Sequence, residues 1–177
     1  MPESGQTSVA VRLVPIPAAD LPALARGQVP AGLEGRVLAD GLPPPHVAAR
    51  IQRRLAAGKP AFWVGMSYIY DRDGCCIGGC GFKDVPRERE VEIGYGIAEP
   101  RRGRGYASVA VQQLLLTAAA TSQVDRVVAL IDADNIASSK LARRLGFVPG
   151  ETVSDEGGLS VRWCRVLTQA DTTAQDQ

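Results

Sequence analysis

Between residues 90 and 132 the chain reads as strand, bare turn, helix and strand, and this order restricts its fold more than any other feature. EVEIGYGIAEP, RRGRGYA, SVAVQQLLLTAAA and DRVVALIDA follow one another without a break. The first is short, apolar and of strand type, and Pro100 stops it. After Gly105 the residues Ala107, Val111, Leu114, Leu115 and Ala118 fall on one side of a helix. The last run returns as a strand. Two strands joined through a helix lie parallel, whereas a hairpin needs only a tight turn.

Elsewhere the signals are helical or antiparallel. SVAVRLVPI alternates as a first strand. PAADLPALARGQV and PHVAARIQRRLAAG read as two helices, the second with Val47, Ile51 and Leu55 at i, i+4 and i+8. KPAFWVGMSYIYDRDGCCIGGCGFKDV reads as a hairpin turning at DRDG, residues 71–74. DNIASSKLARRLGF is a helix capped by Asp134 or Asn135, packed through Leu141 and Leu145, and closed by Gly146. Phe147 begins the return to a sheet and LSVRWCRVL is the last strand. The predicted order is β-α-α-β-β-β-α-β-α-β. That is an α/β (α+β mixed) fold, with a mixed, mostly antiparallel sheet of six to seven strands and helices on both faces. One domain is expected over 1–168, with a flexible polar tail at 169–177.

Composition closes off several functions. The 177 residues carry a formal charge of +1, so no overall field favours nucleic acid or an anionic membrane. No apolar run is long enough to span a bilayer. MPESGQTSVAVRLVP lacks the basic and apolar regions of a secretion signal, so a cytoplasmic location is expected. Cys75, Cys76, Cys80 and Cys164 are expected to be reduced structural thiols rather than metal ligands. Cys76 and Cys80 match half of a zinc knuckle, but the single histidine, His46, lies in a proline-rich loop. No metal is expected.

The turn RRGRGYA has its own chemistry. A helix start leaves backbone N–H groups unpaired and partly positive, so it attracts anions. Gly103 and Gly105 clear side chains from the approach, and Arg101, Arg102 and Arg104 add charge. A pyrophosphate suits such a turn. The triphosphate loop G-x-x-x-x-G-K-[ST] is absent, and GYGIAEPRRGRG does not keep the G-x-G-x-x-G spacing of a dinucleotide fold.

The run Arg102, Gly103, Arg104, Gly105, Tyr106, Ala107 fits R-x-x-G-x-A, and this resembles the acetyl-CoA signature of the GNAT superfamily of N-acetyltransferases. VEIGYGIAEP resembles that family's fourth strand, and DADNIASSKLARRLGF its fifth-strand end and following helix. The GY-x-I, RGRGYA and N-x-x-S…GF set looks most like the RimJ/RimL-type branch.

The resemblance implies acetyl-CoA as co-substrate, with main-chain amides of residues 102–107 holding its pyrophosphate. It implies a fourth strand splayed from the fifth, with pantetheine along Tyr95, Gly96, Ile97 and Ala98. A backbone N–H near Ile97 would polarise the thioester carbonyl. It makes Glu92 the candidate general base, with Glu90 in reserve, because an amine near pKa 10.4 must lose a proton before it attacks. The alternative for Glu92 is an outward carboxylate beside Arg87 or Arg89. By resemblance Asn135 touches the pantetheine or acetyl end, and Ser138 protonates the leaving thiolate. Both also read as plain helix caps. Many relatives carry a tyrosine four positions after Ser138, where this chain has Ala142. Arg143 and Arg144 either reach the 3′-phosphate or face water.

The function implied is acetyl transfer to a primary amine by direct attack in a ternary complex. The alternative is a non-catalytic acyl-CoA-binding domain of the same fold. The acceptor, a small molecule or a protein N-terminus, would sit against roughly 20–56, 83–90 and 149–160. There Asp84, Glu88, Glu90, Asp155 and Glu156 would suit a cationic amine. Homodimerisation is left open.

Overall fold

A computed structural model of the chain describes residues 9–155, 158–168 and 171. Seven strands form one sheet: β1 (Arg12–Pro15), β2 (Met66–Tyr70), β3 (Cys76–Phe82), β4 (Glu90–Ile97), β5 (Arg126–Asp132), β6 (Val148–Asp155) and β7 (Gly158–Val166). The helices are α1 (Leu21–Ala25), α2 (Pro45–Ala56), α3 (Ala61–Val64), α4 (Tyr106–Ala120) and α5 (Ile136–Arg144). The strand order is β1-β2-β3-β4-β5-β7-β6. Every neighbouring pair is antiparallel except β4 and β5, which the α4 crossover joins in parallel.

Two apolar clusters hold the layers. In one, Val111, Leu114 and Leu115 of α4 pack with Val91, Ile93 and Val127 of the sheet and Leu141 of α5. In the other, Leu21 and Leu24 of α1 meet Ala48 and Ile51 of α2 over Tyr68. The Tyr68 hydroxyl donates to Asp20 at 2.9 Å, tying the start of α1 to the sheet. Strand β3, CIGGCGF, is buried along its whole length. Its glycines let backbones close in: a Cβ on Gly81 would stand 2.5 Å from the Gly65 carbonyl oxygen.

The sequence order differs from this in two places. AFWV forms the single helical turn α3 and not the start of a strand. Pro60 sits before it with φ −61°, and a Cβ on Gly65, just past its end, would meet the Ala61 oxygen at 2.6 Å. An apolar run of four carries no periodicity strong enough to oppose those ends. The return after Phe147 is a full strand, β6, making the last strand one arm of a hairpin. Pro149, Gly150 and a register shift between Pro149 and Thr152 break the alternation that would have marked it. Asp155's side chain, Glu156 and most of the 169–177 tail lie outside the described residues. Asp171 is described, and its carboxylate accepts from Thr168 N–H at 2.8 Å and from Arg165 at 2.5 Å. No helix among the described residues is long and apolar enough to cross a membrane.

Asp84 fastens the loop before β4. Lys59 approaches it at 2.6 Å, Arg54 pairs with it directly, and Arg87 lies at 3.7 Å. Partial burial acts to raise its pKa, but bonds from Lys59, the Val85 amide and Arg54 outweigh it and hold the carboxyl at about 2. A lowered carboxylate stabilises the fold above its ordinary value near 3.8 and loses that contribution as pH falls toward 2. With a fifth of the side chain exposed, Asp84→Asn should cost about 1–2 kcal/mol at pH 7. Urea midpoints at pH 7 and pH 3 check this: the gap between the two proteins must narrow at the lower pH.

Candidate active site

The parallel ladder between β4 and β5 is shorter than either strand. It runs from Glu90↔Arg126 to Ile93↔Ala129 and stops. Beyond that point β5 stays with β7 as far as Asp132↔Ser160, and β4 stays with β3 as far as Ile97↔Gly78. The two strands therefore part over Gly94–Ile97, as the resemblance implies. Lys83 N–H donates to Glu92 O, and Ala98 N–H to Ile77 O, each at 2.8 Å. Strand alternation then turns the even positions' polar groups to β3 and the odd ones' toward β5. Ile97 O accepts from Arg102 Nε at 2.8 Å. Both main-chain groups of Tyr95 and the N–H of Ile97 are left along the slot. Gly96 and Ala98, predicted beside them, direct theirs into the sheet, and Ala98 is fully buried.

The slot opens onto the start of α4. Gly103 and Gly105 take φ of +72° and +88°, and no side chain caps the helix. The N–H groups of Gly103, Arg104, Gly105, Tyr106 and Ala107 find no acceptor among the described residues. Five free amides behind two left-handed glycines make an anion cradle. The arginines divide the work. Arg101 binds the buried Asp71 at 3.2 Å and so holds the turn against the β2–β3 connection. Arg102 fixes the end of β4, and Arg104 is exposed. Arg144 of α5 donates to Ser108 in the first turn of α4 at 2.7 Å, while Arg143 stacks over Trp163.

Helix α5 forms the far lip. Asn135 Oδ1 accepts the Ser138 N–H at 3.0 Å, so Asn135 is an N-cap as well as a cleft residue. Ala142 is buried in the core one turn beyond Ser138. A phenol approaches Ser138 from the strand instead. Tyr95 packs with the α4 cluster as Val91, Ile93 and Ile97 do, and its ring runs toward Ser138. Burial raises the phenol, and the nearby Ser138 hydroxyl offsets part of the rise. The two do not reach hydrogen-bond geometry, so Tyr95 Oη is buried without a partner among the described residues. The sequence reading took Tyr95 for its backbone alone. The period-two spacing from Val91 to Ile97 was the available sign that its side chain turns inward.

A cleft of about 1000 Å³ continues from this slot to the α1–α2 side. Gly94 and Gly96 are in its lining, with His46, Val47 and Arg50 of α2 and Lys83 opposite. Glu92 is half-buried and ion-paired with Lys83. Glu90 is held by Arg162 at 2.5 Å and Arg126 at 3.2 Å. Burial acts to raise Glu90, but the two arginines prevail and lower it. The predicted acidity of the acceptor loops is thus neutralised at Asp84 and Glu90 by cations distant in sequence.

The thiols stand apart from this site. Cys76 and Cys80 are wholly buried, and burial raises them to about 11 and about 12. All four cysteines are free. Among the described residues no three of His, Cys, Asp and Glu gather as a metal site would need.

A parted parallel pair leading to an uncapped glycine-rich helix start is the central feature of this site, and comparison gives the family. Residues 10–148 match the model of the acetyltransferase (GNAT) domain. The chain belongs to the GNAT acetyltransferase family. It is 36% identical over 73 residues, 41% of its length, to the uncharacterized N-acetyltransferase YjdG of Bacillus subtilis (strain 168). The matched stretch spans 44% of that relative, less than half its length. Among solved structures, a putative GNAT-family acetyltransferase from Bordetella pertussis superposes with a TM-score of 0.61 at 28% identity, over 91% of this chain and 98% of that one. RimL, a ribosomal-protein alpha-N-acetyltransferase solved with coenzyme A, gives 0.64 at 18% identity over 91% and 96%. A SpeG spermidine N-acetyltransferase chimera from Vibrio cholerae and hSSAT gives 0.65 at 15% identity over 90% and 96%. The last two share the fold.

Proposed function

We propose that this chain moves an acetyl group from acetyl-CoA to a primary amine by direct attack in a ternary complex. The observation that carries the reading is the early end of the β4–β5 ladder, which leaves strand amides facing a slot that leads to the bare start of α4. An extended pantetheine arm suits the slot, bonding to Tyr95 as a strand would, and a pyrophosphate suits the amides of Gly103 to Ala107. The Ile97 N–H then polarises the thioester carbonyl, an interaction that strengthens as charge develops on the oxygen.

The amine attacks the thioester carbon and forms a tetrahedral intermediate. The C–S bond breaks as the carbonyl re-forms, and the thiolate takes a proton from Tyr95, directly or through Ser138. Tyr95 is suited to this because its raised phenol stays protonated at neutral pH. Glu92, held beside Lys83, accepts the proton that the ammonium must lose, directly or through a water. The nitrogen gives up its second proton to solvent as the carbonyl re-forms, and after the products leave solvent takes the proton from Glu92 and returns one to Tyr95. Raised, buried thiols at Cys76 and Cys80 give no help to a covalent acyl-enzyme route.

Acetyl-CoA calorimetry followed by thiol release over a panel of amines tests the reading. Saturable binding with amine-dependent release is expected; binding that never leads to release would point to an acyl-CoA-binding domain. Tyr95→Phe should keep acetyl-CoA affinity and lower kcat by about 10²-fold, with a changed basic limb of the pH profile. Glu92→Gln should lower turnover by a similar factor at neutral pH and change the acid limb of the pH profile. An unaltered pH profile in Glu92→Gln would leave Glu92 as the partner of Lys83 and nothing more.

A further inference from the structure

The acceptor end of the cleft holds a cation that nothing above uses. Arg50 projects from α2 into the cleft, one turn beyond His46 and Val47, so the three share a helix face. Its Nε is buried without a hydrogen-bond partner, and its guanidinium makes no ion pair among the described residues. Burial is the main influence lowering its pKa, and Arg54 adds to it, while Glu92 and Asp84 act weakly the other way. Neither carboxylate is free to serve it: Asp84 is taken by Arg54, Lys59 and Arg87, and Glu92 by Lys83. A buried guanidinium N–H left without an acceptor is costly unless a ligand completes it.

Its place along the strand assigns it to the acceptor. Arg50 lines the cleft from α2 together with Gly94, Gly96 and Lys83, whereas the pyrophosphate cradle begins beyond Ile97 at the start of α4. Five strand residues, roughly 17 Å, separate Glu92 at the acceptor end from Ile97. The floor between is Gly94 and Gly96. A Cβ on Gly96 would meet nothing within 4 Å, so no packing demands a glycine there. An open floor and a single unmatched planar cation suit a small monoanion. The fork of a guanidinium matches a carboxylate in two parallel hydrogen bonds. A phosphate dianion would ask for a second free cation, and Lys83 is already paired.

Resting on the acetyl-transfer reading, we propose that the acceptor is a primary amine that also carries a carboxylate, the amino-acid class, and that Arg50 binds that carboxylate from α2. A polyamine is disfavoured by the same charge.

The test compares α-amino acids, longer ω-amino acids and peptides with an acidic second residue against their neutral amides and against spermidine, by thiol release with saturating acetyl-CoA. The acids should exceed their amides at least about tenfold in kcat/KM. The best spacing between amine and carboxylate separates a free amino acid from a peptide. Arg50→Gln should raise KM for the best acid about 100-fold, leave the amide unchanged and leave the acetyl-CoA KM unchanged. Arg50→Lys should recover part of the loss. Preference for spermidine or for the amides, or an Arg50→Gln effect equal on acid and amide, overturns the proposal while acetyl transfer stands. A second measurement does not need turnover: calorimetry of the acids against protein saturated with coenzyme A. Heat that requires both the carboxylate and Arg50 supports the assignment even if no amine is acetylated, in which case it is acetyl transfer that fails. No carboxylate-dependent heat and no carboxylate-dependent turnover sink the assignment.

Discussion

Gly105→Glu should lose acetyl-CoA binding, with no measurable heat at ligand concentrations that saturate the unsubstituted protein. Two effects act together. Gly105 holds φ of +88° at the N-cap of α4, a conformation that costs a side-chain-bearing residue roughly 1–2 kcal/mol. The new carboxylate also stands among the free amides from Gly103 to Ala107, where the pyrophosphate is proposed to lie. It satisfies the helix start from within and repels a dianion. A loss of more than 100-fold, about 2.7 kcal/mol, is a modest expectation for a charge placed in an anion site. Gly105→Ala is the control. Its Cβ would find only Val9 at 3.8 Å, so it carries the backbone strain without clash or charge. If Gly105→Glu binds acetyl-CoA as tightly as Gly105→Ala, the cradle is not where the pyrophosphate rests.

Gly78→Val should be the most damaging single change to the fold. A Cβ at Gly78 would stand 2.2 Å from the Gly96 carbonyl oxygen and 3.0 Å from Ile97 Cδ1. The first contact is with backbone, so no rotamer relieves it; β3 and β4 must separate. Both sit mid-sheet, and β3 is buried throughout. A cost at or above the usual 1–3 kcal/mol of overpacking follows, about 3 kcal/mol or more, which for a chain of this size lowers Tm by roughly 6–12 °C. Gly96→Ala, on the facing strand, adds a methyl into open space and should leave Tm alone. If it alters any property, it should be the KM of the amine. A Gly78→Val protein that melts with the parent would mean the β3–β4 spacing is looser than these contacts allow.

These two glycines also mark what could be read from the chain. Gly105 was legible because its reason is local: a strand, a bare turn and an apolar helix within about thirty residues specify the crossover and its anion-attracting end. The parting of β4 and β5 came through the family resemblance and holds in the ladder. Other features depend on partners far along the chain. Glu90 looked like an acceptor-loop carboxylate until Arg162, 72 positions away, folded onto it. Phe147 marked a return to the sheet, but Pro149 and Gly150 break the alternation of strand β6 and hide its extent, and the ladder to β7 restores what the pattern lacks. Tyr95's ring, by contrast, follows from local parity, since it shares the face of Val91 and Ile93.

The short ladder between β4 and β5 has a mechanical meaning too. Four ladder pairs, with the Glu90 bridges to Arg126 and Arg162 at one end, sew the four strands β1 to β4 to the three strands β5, β7 and β6. The sheet is thus two plates meeting at a brief seam, with α4 as a strap across it. An extended ligand lying in the opening would lengthen the seam by lending its own amides to Tyr95 and Ile97. The co-substrate would then be temporary sheet, and mass action would add about 2.7 kcal/mol to the fold at a hundredfold excess over Kd. Amide exchange would report it as protection spreading from Ile93 toward Ile97, so that the two plates open together when loaded and separately when bare.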